Sequence, residues 1–260
     1  MPIRIGTISK NSLILLFRPF ATVQFMCRTE SFSPRNVYHN DKYTLKNYIL
    51  AFQKTRKMKL LIVAATYAEI ESSIPLIQQK QIDYLITGVG MTATAYALGK
   101  KLQQNSYDLI LNVGIAGTLD YTIPIGTTVQ ITTDIISELG AQDPHRFIPM
   151  DELGFGLSTF TPRLPESIKL ELPNHIGITV NTVHGIASSI HAIKNRLPTA
   201  AIESMEGAAV FYAALQDNLA CLQVRTISNR VETRDKSKWD IPLAIKNLNI
   251  WLHSFIEKHY

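Results

Sequence analysis

Short apolar runs alternate with amphipathic stretches through residues 58–260, and this alternation is typical of a layered α/β protein. The apolar runs predict buried strands, and the stretches with a repeat near 3.6 residues predict helices. The predicted strands cover 60–65, 83–87, 108–113, 127–133, 176–181, 199–202 and 220–227. The predicted helices cover 67–78, unless Pro75 ends that helix early, then 92–103, 186–195, a segment opening at Glu206, and 241–258. No linker or internal repeat interrupts this region, so it is expected to form one domain.

Glycines punctuate two of these strands. Residues 88–90 and 114–117 are predicted to be turns at strand ends, where glycine lets backbone donors approach an anion. Neither segment is a complete nucleotide-binding motif, so simple strand-to-helix turns remain an equal interpretation. Thr92 is the expected N-cap of the helix that follows the first turn.

The charge of the chain is unevenly distributed. Residues 1–57 carry ten Lys/Arg and two Asp/Glu, whereas residues 58–260 carry sixteen and nineteen, so the net charges are +8 and −3. The mildly acidic larger part argues against a nucleic-acid partner.

No run of 18 apolar residues occurs, which argues against a membrane-spanning helix. Cys27 and Cys221 cannot form a disulfide framework, so a reducing, cytoplasmic compartment is expected.

Residues 1–57 lack a sustained hydrophobic period. They are expected to be an N-terminal extension that is disordered or lies upstream of a natural start at Met58. Because the segment is Arg-rich and poor in acidic residues, a targeting peptide is an alternative. A basic arm that binds a membrane or nucleic acid is a third.

Two segments carry the chemistry. Residues 204–209 read Ser-Met-Glu-Gly-Ala-Ala, and residues 224–229 read Val-Arg-Thr-Ile-Ser-Asn. The first places the Glu206 carboxylate at a helix N-terminus beside the carboxyl edge of a sheet, and the second ends in polar groups at that edge. Together they resemble the purine nucleosidase/phosphorylase superfamily, and within it the futalosine hydrolase family. The resemblance covers 58–260 and implies a three-layer sandwich, in which helices flank a central twisted mixed β-sheet of the nucleoside phosphorylase type.

Cleaving an N-glycosidic bond requires anions near a cationic sugar, a nucleophile at C1′ and a group that stabilises the departing base. The resemblance implies that Glu206 accepts hydrogen bonds from the ribose while Met205 packs on the sugar. It implies that Glu69 activates water, whereas Glu203 is expected to be structural. No arginine occurs between residues 60 and 71, where the superfamily's phosphorylases hold phosphate, so water is favoured as the nucleophile.

Asn229 discriminates between bases. Adenine-specific nucleosidases of this superfamily have Ser-Asp where this chain has Ser228 and Asn229. An amide can donate to a 6-oxo group and accept from a protonated N7, so a 6-oxopurine is predicted. The resemblance further implies that Arg225 organises the strand end and that Gly117 lies beside sugar and base. It places His184 where base or sugar is contacted, and a structural histidine is the alternative.

Residues 230–240 resemble the corresponding stretch of futalosine hydrolases. Trp239, with Arg234 or Lys238, is predicted to bind the propanoyl-benzoate tail of futalosine, although a solvated charged loop is the alternative. The resulting prediction is hydrolysis of futalosine to hypoxanthine and dehypoxanthine futalosine, a step of menaquinone biosynthesis.

The alternatives are another purine nucleosidase or phosphorylase, acting on inosine-like or methylthioadenosine-type substrates, and a non-catalytic nucleoside-binding protein. No metal and no cofactor are expected. The resemblance implies a homodimer or larger assembly whose partner is a small-molecule nucleoside rather than a membrane or nucleic acid.

Overall fold

The computed structural model describes residues 13–17, 21–25, 58–165 and 167–260. The chain divides into two units, Met1–Arg56 and Lys57–Tyr260. The described part of the first unit is an antiparallel hairpin of β1 (Leu13–Phe17) and β2 (Ala21–Phe25). Most of residues 1–57, including Cys27, lie outside the described residues. What the sequence predicts for this segment therefore stays a prediction.

The second unit alternates strands with helices, as the hydrophobic pattern predicts. Its strands are β3 (Leu60–Ala64), β4 (Asp83–Ile86), β5 (Leu109–Thr118), β6 (Thr128–Ile136), β7 (Gly140–Gln142), β8 (Phe147–Pro149), β9 (Thr159–Phe160), β10 (Asn174–Thr179), β11 (Ala200–Ser204) and β12 (Ala220–Arg230). Its α-helices are α1 (Tyr67–Ile70), α2 (Ile74–Gln79), α3 (Met91–Gln104), α4 (Met150–Leu153), α5 (Ala187–Arg196), α6 (Gly207–Gln216) and α7 (Ile241–His259). Short 3₁₀ turns cover Glu71–Ser73 and Lys236–Lys238.

One mixed sheet organises this unit. Its strand order is β11-β10-β6-β12-β5-β3-β4, and β9 adds to the edge of β6. The C-terminal half of β5 also pairs antiparallel with β11, so the sheet curls back and closes partly on itself. The predicted central mixed sheet flanked by helices is confirmed, whereas its partial closure was not predicted, because pairing between strands this far apart leaves no local pattern.

Helices cover both faces of the sheet. Alternate residues of β3 point to opposite sides, so Leu61 and Val63 join one buried cluster while Leu60 and Ile62 join another. The first cluster packs against α3 and α6, and the second packs against α1, α2 and α7. No helix in the described part of the chain is long and apolar enough to cross a bilayer.

The prediction of a glycine turn at residues 114–117 is wrong. This segment is the continuation of β5, and it pairs with β12, with Gly114 opposite Arg225 and, after a bulge at Ser228, Gly117 opposite Asn229. Glycine is needed there because side chains approach the strand closely. A Cβ on Gly114 would come 2.8 Å from Glu69 Oε1, and one on Gly117 would come 2.9 Å from Val231 Cγ2.

Two helices also differ from the predictions, one by a break and one by its first residue. The predicted helix 67–78 breaks at the 3₁₀ turn Glu71–Ser73, and Pro75 lies in the first turn of α2 rather than at a helix end. Thr92 does not cap α3, because that helix begins one residue earlier, after Gly90 with its positive φ of 96°. Gly90 leaves its N–H group free of the helix, and this donor reaches the site described below.

Candidate active site

A pocket of about 340 Å³ opens where the carboxyl ends of the central strands meet. Parallel strands deliver their C-terminal residues to one edge, so segments distant in sequence converge there. Most of the residues predicted from sequence line it: Glu69, Gly117, His184, Met205, Glu206, Ser228, Asn229 and Trp239. Arg225 and Arg234 do not line the pocket. Arg234 packs on Trp239, and Arg225 lies against Gly114 beside Glu69.

Glu69 is held by hydrogen bonds from three directions. The N–H and hydroxyl groups of Thr66 donate to Oε2 at 2.8 and 3.0 Å, forming a capping box at the start of α1. The N–H of Ile115 donates to Oε1 at 3.1 Å. A carboxylate offers about four acceptor sites, so this arrangement leaves one for a water molecule. Glu71, two residues further along the chain, is exposed.

Glu206 faces the same pocket from the start of α6. Its Oε1 accepts a hydrogen bond from the N–H of Gly90 at 2.9 Å, so the glycine turn at residues 88–90 cradles a carboxylate of the protein itself. Burial raises the pKa of Glu206, and the negative charge of Glu69 raises it further, while Arg225 and the Gly90 donor oppose the shift. The two carboxylates are therefore electrostatically coupled across the pocket.

Arg225 is buried to 2 % exposure in β12. Its Nη1 donates to Asn112 Oδ1 at 3.1 Å and to its neighbour's carbonyl, Val224 O, at 3.3 Å, while its Nε makes no hydrogen bond within the described residues. The side chain lies against Gly114 beside Glu69, so its charge acts on both pocket carboxylates. Arg225 is also the last member of a buried chain of hydrogen bonds that runs from Asp134 through Gln223 and Asn112.

Asn229 lies at the end of β12, opposite Gly117. The Ser228 hydroxyl donates to its Oδ1 at 2.8 Å, and its Nδ2 donates to Arg230 O at 3.0 Å. A primary amide has two donor hydrogens and two acceptor lone pairs. One of each is therefore used for orientation, and one of each remains for a ligand.

His184 and Glu203 form a pair in the pocket wall. Glu203, in β11, is 4 % exposed and accepts the N–H of His184 at 3.0 Å. Its second oxygen makes a close contact with Nδ1 of the imidazole. Burial raises the pKa of Glu203, and His184 opposes that shift. Glu203 is expected from the sequence to be structural, and in the structure it also lines the pocket.

Arg234 and Trp239 stack at the mouth. The guanidinium carbon of Arg234 lies 5.0 Å from the Trp239 ring centroid, and the Arg234 N–H donates to Gly185 O. Lys238 instead pairs with Glu232 at 3.3 Å. Of the two predicted cations, Arg234 is thus the one packed on the pocket-lining tryptophan.

Asn249, in α7, was missed from the sequence. It is 4 % exposed, and its Nδ2 donates to the backbone oxygens of Glu69 and Ile245, both at 2.8 Å, while the Ser73 hydroxyl donates to its Oδ1. The one sequence signal that could have indicated it is the occurrence of an asparagine inside an amphipathic helix. Among the described residues, no three His, Cys, Asp or Glu side chains cluster to hold a metal ion.

Comparison with known proteins gives consistent relatives. The family model described as "Phosphorylase superfamily" matches residues 69–257. The futalosine hydrolase of Acidothermus cellulolyticus is 34% identical over 182 residues, which are 66% of this chain and 73% of that protein. The futalosine hydrolase of Streptomyces coelicolor is 33% identical over 176 residues, which are 64% and 74% of the two chains.

Solved structures share the fold. The native futalosine hydrolase of Helicobacter pylori superposes with a TM-score of 0.64 at 15% identity, covering 77% of this chain and 98% of that one. A methylthioadenosine nucleosidase mutant of the same organism, with 5'-methylthioadenosine in its active site, has a TM-score of 0.65 at 15% identity, covering 78% and 100%. The predicted nucleoside phosphorylase-like architecture is thereby confirmed.

Proposed function

This chain belongs to the phosphorylase superfamily, and within it to the futalosine hydrolases, and from that membership we propose that it hydrolyses futalosine. The enzyme is an N-glycosyl hydrolase that releases hypoxanthine and dehypoxanthine futalosine, a step of menaquinone biosynthesis. The observation that carries the proposal is the convergence of Glu69, Glu206 and Asn229 on one pocket.

Glu69 is the proposed general base. Its fixed carboxylate has one acceptor site left for a water molecule, and the Arg225 side chain lies beside it against Gly114. The water oxygen bonds to C1′, its proton passes to Glu69, and the electrons of the C1′–N9 bond go to the purine. The absence of an arginine between residues 60 and 71 supports water rather than phosphate as the nucleophile.

Glu206 is the proposed ribose ligand. Held by Gly90, its carboxylate is placed to accept hydrogen bonds from ribose hydroxyls and to stabilise positive charge on the sugar. Met205 lies beside it in the pocket lining and offers an apolar surface to the ring.

Asn229 is the residue proposed to recognise the purine base. Its spare donor suits a 6-oxo group and its spare acceptor suits a protonated N7, which together describe hypoxanthine. A site with this pattern discriminates against adenine, because buried polar groups would be left without partners.

Arg234 and Trp239 are the proposed site for the benzoate tail. Stacking on the indole covers one face of the guanidinium and leaves its N–H edge for a carboxylate. Lys238 is less suited because Glu232 already neutralises it.

Hypoxanthine release by the full-length chain tests the proposal. Futalosine and inosine are compared, each with and without phosphate. Fast release from futalosine that does not depend on phosphate is expected. A preference for inosine, or a requirement for phosphate, would instead indicate a purine-salvage enzyme.

Glu69→Gln supplies the mechanistic test, and Glu71→Gln is its control because Glu71 is exposed two residues away. Loss of a general base is expected to lower kcat roughly 10²- to 10⁴-fold, whereas the control keeps wild-type activity. A binding protein without catalysis would bind futalosine and release no hypoxanthine in any variant.

We further propose a homo-oligomer in the cytoplasm. A second, apolar groove of about 330 Å³ lies between α3 and α6, and two exposed apolar side chains, Leu157 and Tyr212, line it. Cys221 is a free, buried thiol, as expected in a reducing compartment. Sedimentation of wild type against Leu157→Asp tests the assembly, and equal masses corresponding to a monomer would contradict it.

A further inference from the structure

The departing purine needs a proton, and Asn229 cannot supply one, because an amide has no acidic hydrogen at neutral pH. Of the described residues that line the pocket, the titratable ones are Glu69, His184, Glu203 and Glu206. In the proposed function Glu69 takes a proton from water and Glu206 holds the ribose. His184 and Glu203 remain without a role.

His184 presents one ring nitrogen for a ligand. Glu203 fixes the residue twice, at the backbone N–H and at Nδ1, which orients the ring. Nε2 lies on the other edge of the imidazole and makes no hydrogen bond to any residue that the structure describes. Nε2 is accessible to solvent, and His184 lines the pocket.

The strand register places this pair across from Asn229. Gly117 is opposite Glu203 on one side and opposite Asn229 on the other. With neighbouring strands about 4.8 Å apart, the Cα atoms of Glu203 and Asn229 are roughly 10 Å apart. A base lying over Gly117 is therefore flanked by the amide on one side and by the imidazole unit on the other.

We propose that His184, held by Glu203, is the general acid that protonates the departing hypoxanthine, an inference that rests on the proposed function. As the C1′–N9 bond breaks, its electron pair moves to the purine and Nε2–H gives its proton to a ring nitrogen. Neutral His184 then regains a proton from solvent, and Glu69 releases to solvent the proton taken from water. The sum is one water consumed, one sugar product and one neutral hypoxanthine.

The charges around the imidazole favour this role. Glu203 contacts it directly and Glu138 adds negative charge to that carboxylate's surroundings. Glu69 and Glu206 face it from the rest of the pocket lining, while Arg234, which packs on Gly185, opposes them. The groups around the imidazole are thus mostly acidic, which suits a side chain that carries a proton to the departing base.

N7-methylated futalosine separates acid catalysis from binding, because its purine is already cationic and leaves without protonation. His184→Gln keeps an amide that can bond Glu203 but cannot transfer a proton. For this variant kcat on futalosine is expected to fall roughly 10²-fold or more, while kcat on the methylated substrate stays within about threefold. His191→Gln, an exposed histidine on α5, is the control and keeps both rates.

The outcomes are distinct. An equal loss on both substrates would assign His184 to binding or folding and overturn the inference, as would an unchanged rate on futalosine. Glu203→Gln should show the same dependence on substrate, because the imidazolium loses its partner. If the wild-type protein released neither hypoxanthine from futalosine nor 7-methylhypoxanthine from the methylated substrate, the proposed function itself would fail.

Discussion

Asn249 offers a test of how the fold positions the general base. This buried amide links α7 to the backbone oxygen of Glu69, 180 residues away, at the point where α1 gives way to a 3₁₀ turn. It also accepts the hydroxyl of Ser73, which is fully buried. Asn249→Ala removes these bonds and leaves two buried polar groups without that partner.

The magnitude follows from those two groups. A buried polar group that loses its partner costs about 1–3 kcal/mol, so for the two groups the free energy of unfolding is expected to drop by about 2–6 kcal/mol. Because a misplacement near 1 Å can cost about 10²-fold in rate, kcat is also expected to fall by roughly 10- to 100-fold. Asn247→Ala is the matched control, since this asparagine of the same helix bonds Gly126 O at 2.8 Å, in a partly buried position. It should cost only about 1 kcal/mol.

Urea denaturation of the two variants measures the first effect, and hypoxanthine release at a temperature where both are folded measures the second. If Asn249→Ala lost no more stability than Asn247→Ala, the bonds to Glu69 and Ser73 would not be holding the helix junction. If stability fell while kcat stayed at the wild-type value, Asn249 would support the fold without positioning the base.

Three further predictions concern specificity, packing and pH. Asn229→Asp should shift the ratio of adenine to hypoxanthine release toward adenine nucleosides, and an unchanged ratio would remove Asn229 as the reader of the base. Gly207→Ala should cost roughly 2–3 kcal/mol or more, because its Cβ would lie 2.2 Å from Asp134 Oδ2, whereas Gly99→Ala, with nothing within 4 Å, should stabilise by about 0.5–1 kcal/mol in thermal unfolding. Burial raises the pKa of Asp134 from 3.8 to about 6, so the folded state holds this proton more tightly than the unfolded state. The stability supplied by the protonated form is present below about pH 4 and is lost as the pH rises to about 6, and Asp134→Asn should flatten that decline in denaturant titrations.

Local patterns predicted most of the elements correctly, because periodicity within a helix or strand reports which face is buried. The same patterns failed at residues 114–117, where glycine signalled a turn but serves a crowded strand. They also missed the cap of α3, since Gly90 was free to give its N–H to Glu206, a residue 116 positions away. In both places a long-range contact decided the local conformation.

Two short segments of the sequence are enough to predict Glu206 at a helix end and Asn229 at a strand end, and the resemblance implies the role of Glu69. What holds and surrounds these three side chains depends on the folded chain. The partial closure of the sheet through β11 and β5 brings Glu203 and Asn229 to either side of Gly117. Asn249 reaches Glu69 across 180 residues. Such contacts depend on how strands and helices pack in three dimensions, and nothing in the neighbouring residues of the chain encodes them.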